Sequence, residues 1–247
     1  RGVDFFRINL SHTEEDEIEK RIKDLLGYGV PIILDTEGSQ VRSGNSDEIY
    51  FQEGDTVKIF GSKISCDSNN LFLKPEGIVK KLQDGDFISV DFNSVLLRVF
   101  DISPINKGYV LCKVVISGHA GGKKAVQIYS PTFNLPPFSN KDHLAFLLAK
   151  KYGIKHFTLS FMESPESVLR FKQNYPEAVV YSKIESKKGL ENFIEIAEVS
   201  DGVLVDRGDL SSQIPLEKIP FAQKFITRKV RELVKEVFIS HNCAKEL

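Results

Sequence analysis

The chain has 247 residues, 41% of them hydrophobic, which is enough to bury one large core or two smaller ones. Its 33 basic and 34 acidic side chains leave a formal charge of -1, which excludes a global positive field for nucleic acid or an anionic membrane. The three cysteines lie far apart, the first residues lack a signal-peptide pattern and no apolar run approaches ~20 residues, so a cytoplasmic protein without disulfides is expected.

The first segments alternate between strand and helix. Residues 3–10 predict a strand, and the acidic run from Thr13 to Asp16 predicts a helix that ends near Gly27. Residues 29–35 are an apolar run ending in a carboxylate, as expected for a strand buried on both faces. This order indicates a parallel α/β fold.

The pattern changes at residue 43. Residues 43–130 carry short alternating segments between turns rich in glycine and aspartate, which predicts an antiparallel β-barrel domain inserted between a strand and its helix. Helical character resumes at Ser139, which predicts the cap of a helix to about residue 152. The expected domains are therefore residues 1–42, 43–130 and 131–247, the first and last belonging to one (β/α) barrel.

Further β–α units follow this helix. Strands are predicted at residues 154–161, 178–185, 202–206 and 236–240, with helices near residues 165–174, 189–199 and 216–234. The repeat predicts an α/β fold of the (β/α)8 TIM-barrel type, incomplete in this chain, in which we count about seven strands.

Polar side chains gather at the ends of these strands, where the reactive groups of a (β/α) barrel lie. Lys183 and Glu185 are one residue apart, so they face the same side of a strand, where burial requires a partner or a metal. With Asp209 from the next strand end, two carboxylates suit Mg2+ or Mn2+ bridging to an anionic substrate, and Lys183 adds a positive charge beside the ion. A purely structural ion pair between Lys183 and Glu185 is the alternative.

Five segments, taken in order, resemble segments of the pyruvate kinase family. They are residues 7–12 (RINLSH), 34–42 (LDTEGSQVR), 122–126 (GKKAV), 181–185 (YSKIE) and 200–210 (SDGVLVDRGDL). The resemblance covers nearly the whole chain, with the inserted β domain in the corresponding place. It implies phosphoryl transfer from phosphoenolpyruvate to ADP, giving pyruvate and ATP in glycolysis, with no nucleic-acid or membrane partner.

The resemblance also implies a role for individual residues. Lys183 and Arg7 would be catalytic, and Glu185 and Asp209 would hold the divalent cation. A monovalent cation, usually K+, would be bound by Asn9, Ser11, Asp35 and Thr36. The substrate would be bound by Arg207, Gly208 and Ser160. The nucleotide would be bound by His12, Arg42 and Lys124.

Simpler interpretations of these residues stay open. Arg7 could form a strand-end ion pair with Asp35, and the short polar side chains at positions 9, 11 and 36 could cap turns. His12 could cap the following helix, and Lys124 could lie in a solvated turn.

Several positions depart from the family's pattern, and two of them concern the predicted cation sites. Gln40 replaces a glutamate that in the family goes with K+ dependence, so that dependence is left open. Asp206 stands where a small residue is usual, which places an extra negative charge next to Asp209. His241 aligns loosely with a threonine of the family.

The resemblance further implies that a C-terminal regulatory domain and two barrel strands are absent from these residues, and that the intact protein is a homo-oligomer. Open sheet edges would then make this chain alone poorly stable or prone to associate. Two other functions remain alternatives: a metal-dependent lyase acting on pyruvate or phosphoenolpyruvate, and a non-catalytic relative that binds phosphoenolpyruvate or a sugar phosphate.

Overall fold

The computed structural model describes residues 2–44, 47–64, 67–91, 94–131, 133–211 and 213–239. The chain divides into two compact units, the first made of residues 1–39 and 136–247 and the second of residues 40–135. None of the helices within the described ranges has the length and apolar character needed to cross a membrane.

The first unit opens with a strand, a helix and a second strand: β1 (Phe6–Asn9), α1 (Glu15–Leu26) and β2 (Ile32–Asp35). Three acidic residues in the first turn of α1 complement the positive end of the helix dipole. Ile18 and Ile22, four residues apart, are buried on one face of this helix and so pack it against the core.

The second unit consists mainly of short strands. They are β3 (Val41–Ser43), β4 (Ile49–Phe51), β5 (Thr56–Phe60), β6 (Asn70–Lys74), β7 (Phe87–Val90), β8 (Val95–Asp101), β9 (Tyr109–Ile116), β10 (Gly118–Ala120) and β11 (Ala125–Tyr129). Seven of them close into a barrel in the order β11-β3-β6-β5-β9-β8-β7, and β10 pairs with β4. The barrel is antiparallel as predicted, except that β5 and β6 run parallel.

The edges of the second unit differ by a few residues from the predicted limits of 43 and 130. Val41 and Arg42 pair with residues of β11, so they belong to the inserted barrel rather than to the preceding strand. At the other end, Phe133 and Leu135 pack against the core of the barrel, which keeps residues up to 135 in the second unit.

The chain then returns to the first unit. Its remaining elements are α2 (Asn140–Tyr152), β12 (His156–Leu159), α3 (Pro165–Asn174), β13 (Val179–Ile184), α4 (Lys187–Glu191), α5 (Phe193–Val199), β14 (Gly202–Val205), α6 (Arg207–Leu210), α7 (Ile219–Glu232) and β15 (Glu236–Ile239). A capping box starts α2, in which Ser139 and Asp142 each bond the other's backbone.

The first unit is built on one parallel sheet. Its strand order is β1-β2-β12-β13-β14-β15, and every neighbouring pair is parallel. The fold is thus an incomplete (β/α)8 barrel with an inserted β-barrel, as predicted. The count of about seven barrel strands was wrong: the described residues contribute six, because the other strand-like segments all belong to the second unit.

One buried carboxylate fixes the backbone on both sides of the insertion. Asp142 is fully buried, and its oxygens accept hydrogen bonds from the N–H groups of Glu37 at 2.8 Å and Gly38 at 3.0 Å. They also accept the N–H of Ser139 at 2.9 Å. Residues that precede and follow the second unit in sequence are therefore held together within the first unit.

Candidate active site

Lys183 lies in a buried group of polar side chains at the carboxyl ends of the parallel strands. It is near the end of β13 and only 6% exposed, while Glu185 directly follows this strand and is fully buried. The ammonium Nζ lies 2.7 Å from Oε1 of Glu185 and 3.5 Å from Oδ1 of Asp35. It also donates a hydrogen bond to Oγ of Ser160 at 3.1 Å.

These contacts determine the charge of Lys183. Burial lowers the pKa of the ammonium, but the negative charges of Glu185 and Asp35 outweigh burial and raise the pKa above its usual value. These carboxylates therefore favour the charged form of Lys183. The ion pair proposed as the simpler interpretation is formed, and it forms inside a larger group of acids.

Glu185 is held by two contacts of different character. Its Oε2 accepts a hydrogen bond from the N–H of Phe161 at 2.7 Å. Its Oε1 lies 2.7 Å from Nζ of Lys183, a distance typical of an ion pair, and accepts no hydrogen bond within the described residues. Burial raises the pKa of Glu185 to about 7; Lys183 opposes this rise, and the charges of Asp209 and Asp206 add to it.

Three carboxylates converge next to Lys183. Glu185, Asp206 and Asp209, hereafter the carboxylate cluster, each offer one oxygen, and these oxygens lie within 4.8 Å of one another. Glu185 is buried, Asp206 is half-buried and Asp209 is exposed, so the cluster opens to solvent on one side. All-oxygen ligands with room for water and substrate oxygens fit Mg2+ or Mn2+.

Asp206 was noted in the sequence as an extra charge but not predicted as a ligand. It follows β14 and caps α6, since its Oδ1 accepts the N–H of Gly208 at 3.1 Å. Its Oδ2 lies 3.9 Å from Nζ of Lys183. The signal that could have identified it as a ligand was its position at a strand end, three residues before Asp209.

Asp35 joins Arg7 to Lys183. Nε of Arg7 donates to Oδ2 of Asp35 at 2.8 Å, and a second guanidinium nitrogen bonds the same oxygen. Oδ1 of Asp35 accepts the hydroxyl of Thr158 at 2.6 Å. The ion pair between Arg7 and Asp35 is thus formed, and a phosphate-binding role for Arg7 stays a prediction. Thr158 was missed, although it lies on β12 two residues before Ser160.

Three of the four residues predicted to bind a monovalent cation, Asn9, Asp35 and Thr36, already accept hydrogen bonds within the protein. Oδ1 of Asn9 accepts the N–H of Ser11 at 3.0 Å, which is the turn cap named as the alternative. Thr36 accepts the N–H of Ser160 at 2.7 Å through its hydroxyl and the hydroxyl of Ser160 at 2.6 Å through its carbonyl. A K+ site there stays a prediction.

The predicted substrate and nucleotide residues fall in several places. Ser160 is buried between Lys183 and Thr36, while Arg207 and Gly208 form the first turn of α6 beside the carboxylate cluster. The N–H of Gly208 is taken by Asp206. Their contacts with a substrate stay predictions.

His12 ends a short 3-10 turn of the first unit, Leu10–His12, and is exposed. Arg42 and Lys124 are neighbours in the second unit: Arg42 donates to the carbonyl of Lys123 at 3.2 Å and to Oε1 of Gln40 at 2.6 Å. Lys124 pairs with Asp91 at 2.7 Å. Nucleotide binding by these residues stays a prediction, and His241 lies outside the described residues.

Known proteins resemble this chain along nearly its whole length. The family model described as pyruvate kinase, barrel domain, matches residues 1–245. A pyruvate kinase of Staphylococcus haemolyticus is 32% identical over 249 residues, covering 96% of this chain and 42% of the relative. One of Clostridium acetobutylicum is 31% identical over 250 residues, covering 96% and 52%.

A solved structure agrees with these relatives. The crystal structure of a pyruvate kinase from Cryptosporidium parvum superposes with a TM-score of 0.76 at 28% identity, covering 98% of this chain and 53% of that chain. The chain spans about half the length of the relatives it matches. The family match, the order of the motifs and the barrel with its inserted domain agree: this chain belongs to the pyruvate kinase family.

Proposed function

We propose that the protein transfers the phosphoryl group of phosphoenolpyruvate to ADP, giving pyruvate and ATP, as a cytoplasmic enzyme of glycolysis. The observation that carries the proposal is the buried ammonium of Lys183 beside the carboxylate cluster at the carboxyl ends of the barrel strands. Phosphoryl transfer depends mainly on positioning and on positive charge at the transferring group, and this arrangement supplies both.

The chain's own residues divide the work. Lys183 would stabilise the negative charge of the phosphoryl group in transfer and of the enolate left behind. Arg7 uses two of its five guanidinium donors on Asp35 and exposes 54% of its side chain, so donors remain to grip a phosphate. A divalent cation held by Glu185 and Asp209 would supply a Lewis acid for the oxygens of the substrate.

The remaining predictions belong to this proposal. The predicted partners are phosphoenolpyruvate and ADP, and a homo-oligomer is the predicted assembly of the intact protein. Asp35 and Ser160 would also position Lys183. Asp35, which is already paired with Arg7, lies 3.5 Å from the ammonium, and Ser160 accepts a hydrogen bond from it. Relatives of this chain are pyruvate kinases, which supports the reaction class.

The test is a coupled assay of the full chain with phosphoenolpyruvate, ADP and Mg2+, with and without K+. Formation of pyruvate together with ATP is expected, with loss of at least about 10²-fold in Lys183→Met because a charge used only in the transition state is removed. Lys187→Met is the matched control, since Lys187 is 71% exposed. Lyase products formed without ATP would indicate the lyase alternative, and binding without turnover would indicate a non-catalytic relative.

A further inference from the structure

Asp206 has no part in the reaction proposed above, yet it is the third member of the carboxylate cluster. Its two oxygens face different partners. Oδ1 caps α6 through the N–H of Gly208, and Oδ2 lies on the side of Lys183 at 3.9 Å. One carboxylate can therefore hold the helix and still present an oxygen to the cluster.

Lys183 is shared between carboxylates at this site. Arg7 and Asp35 form their own ion pair. Nζ of Lys183 lies 2.7 Å from Glu185 and 3.9 Å from Asp206, so one ammonium faces two carboxylates of the cluster in a partly buried place. A divalent cation would offset the additional negative charge that Asp206 brings to the cluster.

A second observation favours a cation at this site. Oε1 of Glu185 belongs to a fully buried side chain, lies 2.7 Å from the ammonium of Lys183 and accepts no hydrogen bond within the described residues. A buried carboxylate oxygen in that state is costly unless a further positive ligand completes it.

We propose that Asp206 is a third protein ligand of the divalent cation. This inference rests on the proposed function, because it concerns the same ion. In phosphoryl-transfer sites Mg2+ is usually held by one or two carboxylates together with substrate phosphates. A third carboxylate replaces part of the substrate's contribution, so binding of the metal and binding of the substrate become less dependent on one another.

The experiment is a Mn2+ titration of the metal-free full chain without substrate, following free Mn2+ by electron paramagnetic resonance and heat by calorimetry. The informative variant is Asp206→Asn, because the amide oxygen can still accept the N–H of Gly208 while the negative charge is lost. Asp201→Asn is the matched control, since Asp201 lies at the other end of β14 and pairs with Lys172. Glu185→Gln marks the loss of a ligand inside the cluster.

Wild type is expected to bind Mn2+ without substrate, Asp206→Asn to bind about tenfold more weakly, and Asp201→Asn to stay within about twofold of wild type. If Asp206→Asn binds like wild type while Glu185→Gln does not, Asp206 is only a helix cap and the inference fails alone. If wild type binds Mn2+ only after phosphoenolpyruvate is added, the inference fails and the proposed function stands. If Mn2+ does not bind under either condition, both fail. Should Asp206→Asn unfold, as judged by circular dichroism, Asp206→Ser keeps a capping oxygen and repeats the test.

Discussion

Lys183→Met tests whether the ammonium holds the acidic strand ends together as well as serving chemistry. Methionine keeps most of the volume of the aliphatic stem but removes the charge. Glu185 and Asp35, which are 0% and 1% exposed, then lose the ammonium that lies 2.7 Å from the first and 3.5 Å from the second.

Removing one partner of a buried ion pair typically costs about 3–5 kcal/mol. Asp35 keeps Arg7 as a second partner, so the lower end of this range, about 3 kcal/mol, is expected here. A loss of about 1 kcal/mol lowers Tm by about 2–4 °C in chains of this size, which gives a decrease of about 6–12 °C.

The assay is thermal and urea unfolding of the metal-free chain followed by circular dichroism. The second unit contains none of these residues, so a transition that belongs to it should not move. Lys187→Met should stay within about 0.5 kcal/mol of wild type because its side chain is exposed. An unfolding free energy of Lys183→Met within about 1 kcal/mol of wild type would refute the buried ion-pair reasoning.

Three further predictions concern the first unit. Asp142→Ala should lower the unfolding free energy by about 3 kcal/mol, because three backbone N–H groups lose their acceptor; urea unfolding measures this, and a change under about 1 kcal/mol would contradict it. Hydrogen bonds from Lys151 and Tyr152 lower the pKa of Glu19 from 4.5 to about 2. The stability that this carboxylate adds is therefore present above pH 4.5 and is lost as the pH falls towards 2. The difference in unfolding free energy between wild type and Glu19→Gln should therefore shrink over that range, and a constant difference would count against the assignment. Gly202→Ala should reduce thermal stability, because the new Cβ would lie 2.8 Å from the carbonyl oxygen of Glu236; an unchanged Tm would show that β15 can shift.

Sequence patterns predict that the strands of the first unit exist more reliably than they predict where each strand begins and ends. Residues 29–35 were predicted as one strand, but β2 begins only at Ile32 because Gly29 has a left-handed φ of 67° and Pro31 has no N–H to donate. The first strand is shortened for a related reason. Phe6 is the first residue with a partner, Ile32, so residues before it have no strand to pair with in the sheet.

Some contacts of the candidate site could likewise be predicted from the sequence and others could not. Lys183 and Glu185 could be placed together because alternation along one strand puts them on one face. The contact between Lys183 and Asp35 joins β13 to β2, with β12 between them, and no local pattern specifies it. Alternate strands of a barrel do bring inward-facing residues into one layer, which would have predicted this contact from the strand order. Thr158 on the intervening strand β12 bonds Asp35 and would have supported the same prediction.

The carboxylate of Asp142 has a consequence for how the chain tolerates change. The N–H groups of Glu37 and Gly38, before the second unit, and of Ser139, after it, bond the same carboxylate. The two ends of the segment formed by residues 40–135 are therefore held together whatever that segment contains. The entropy of closing a loop grows only slowly with its length, so a shorter or longer excursion would cost the barrel little. We therefore expect that replacing residues 40–135 with a short turn would leave the sheet and its acidic strand ends in place.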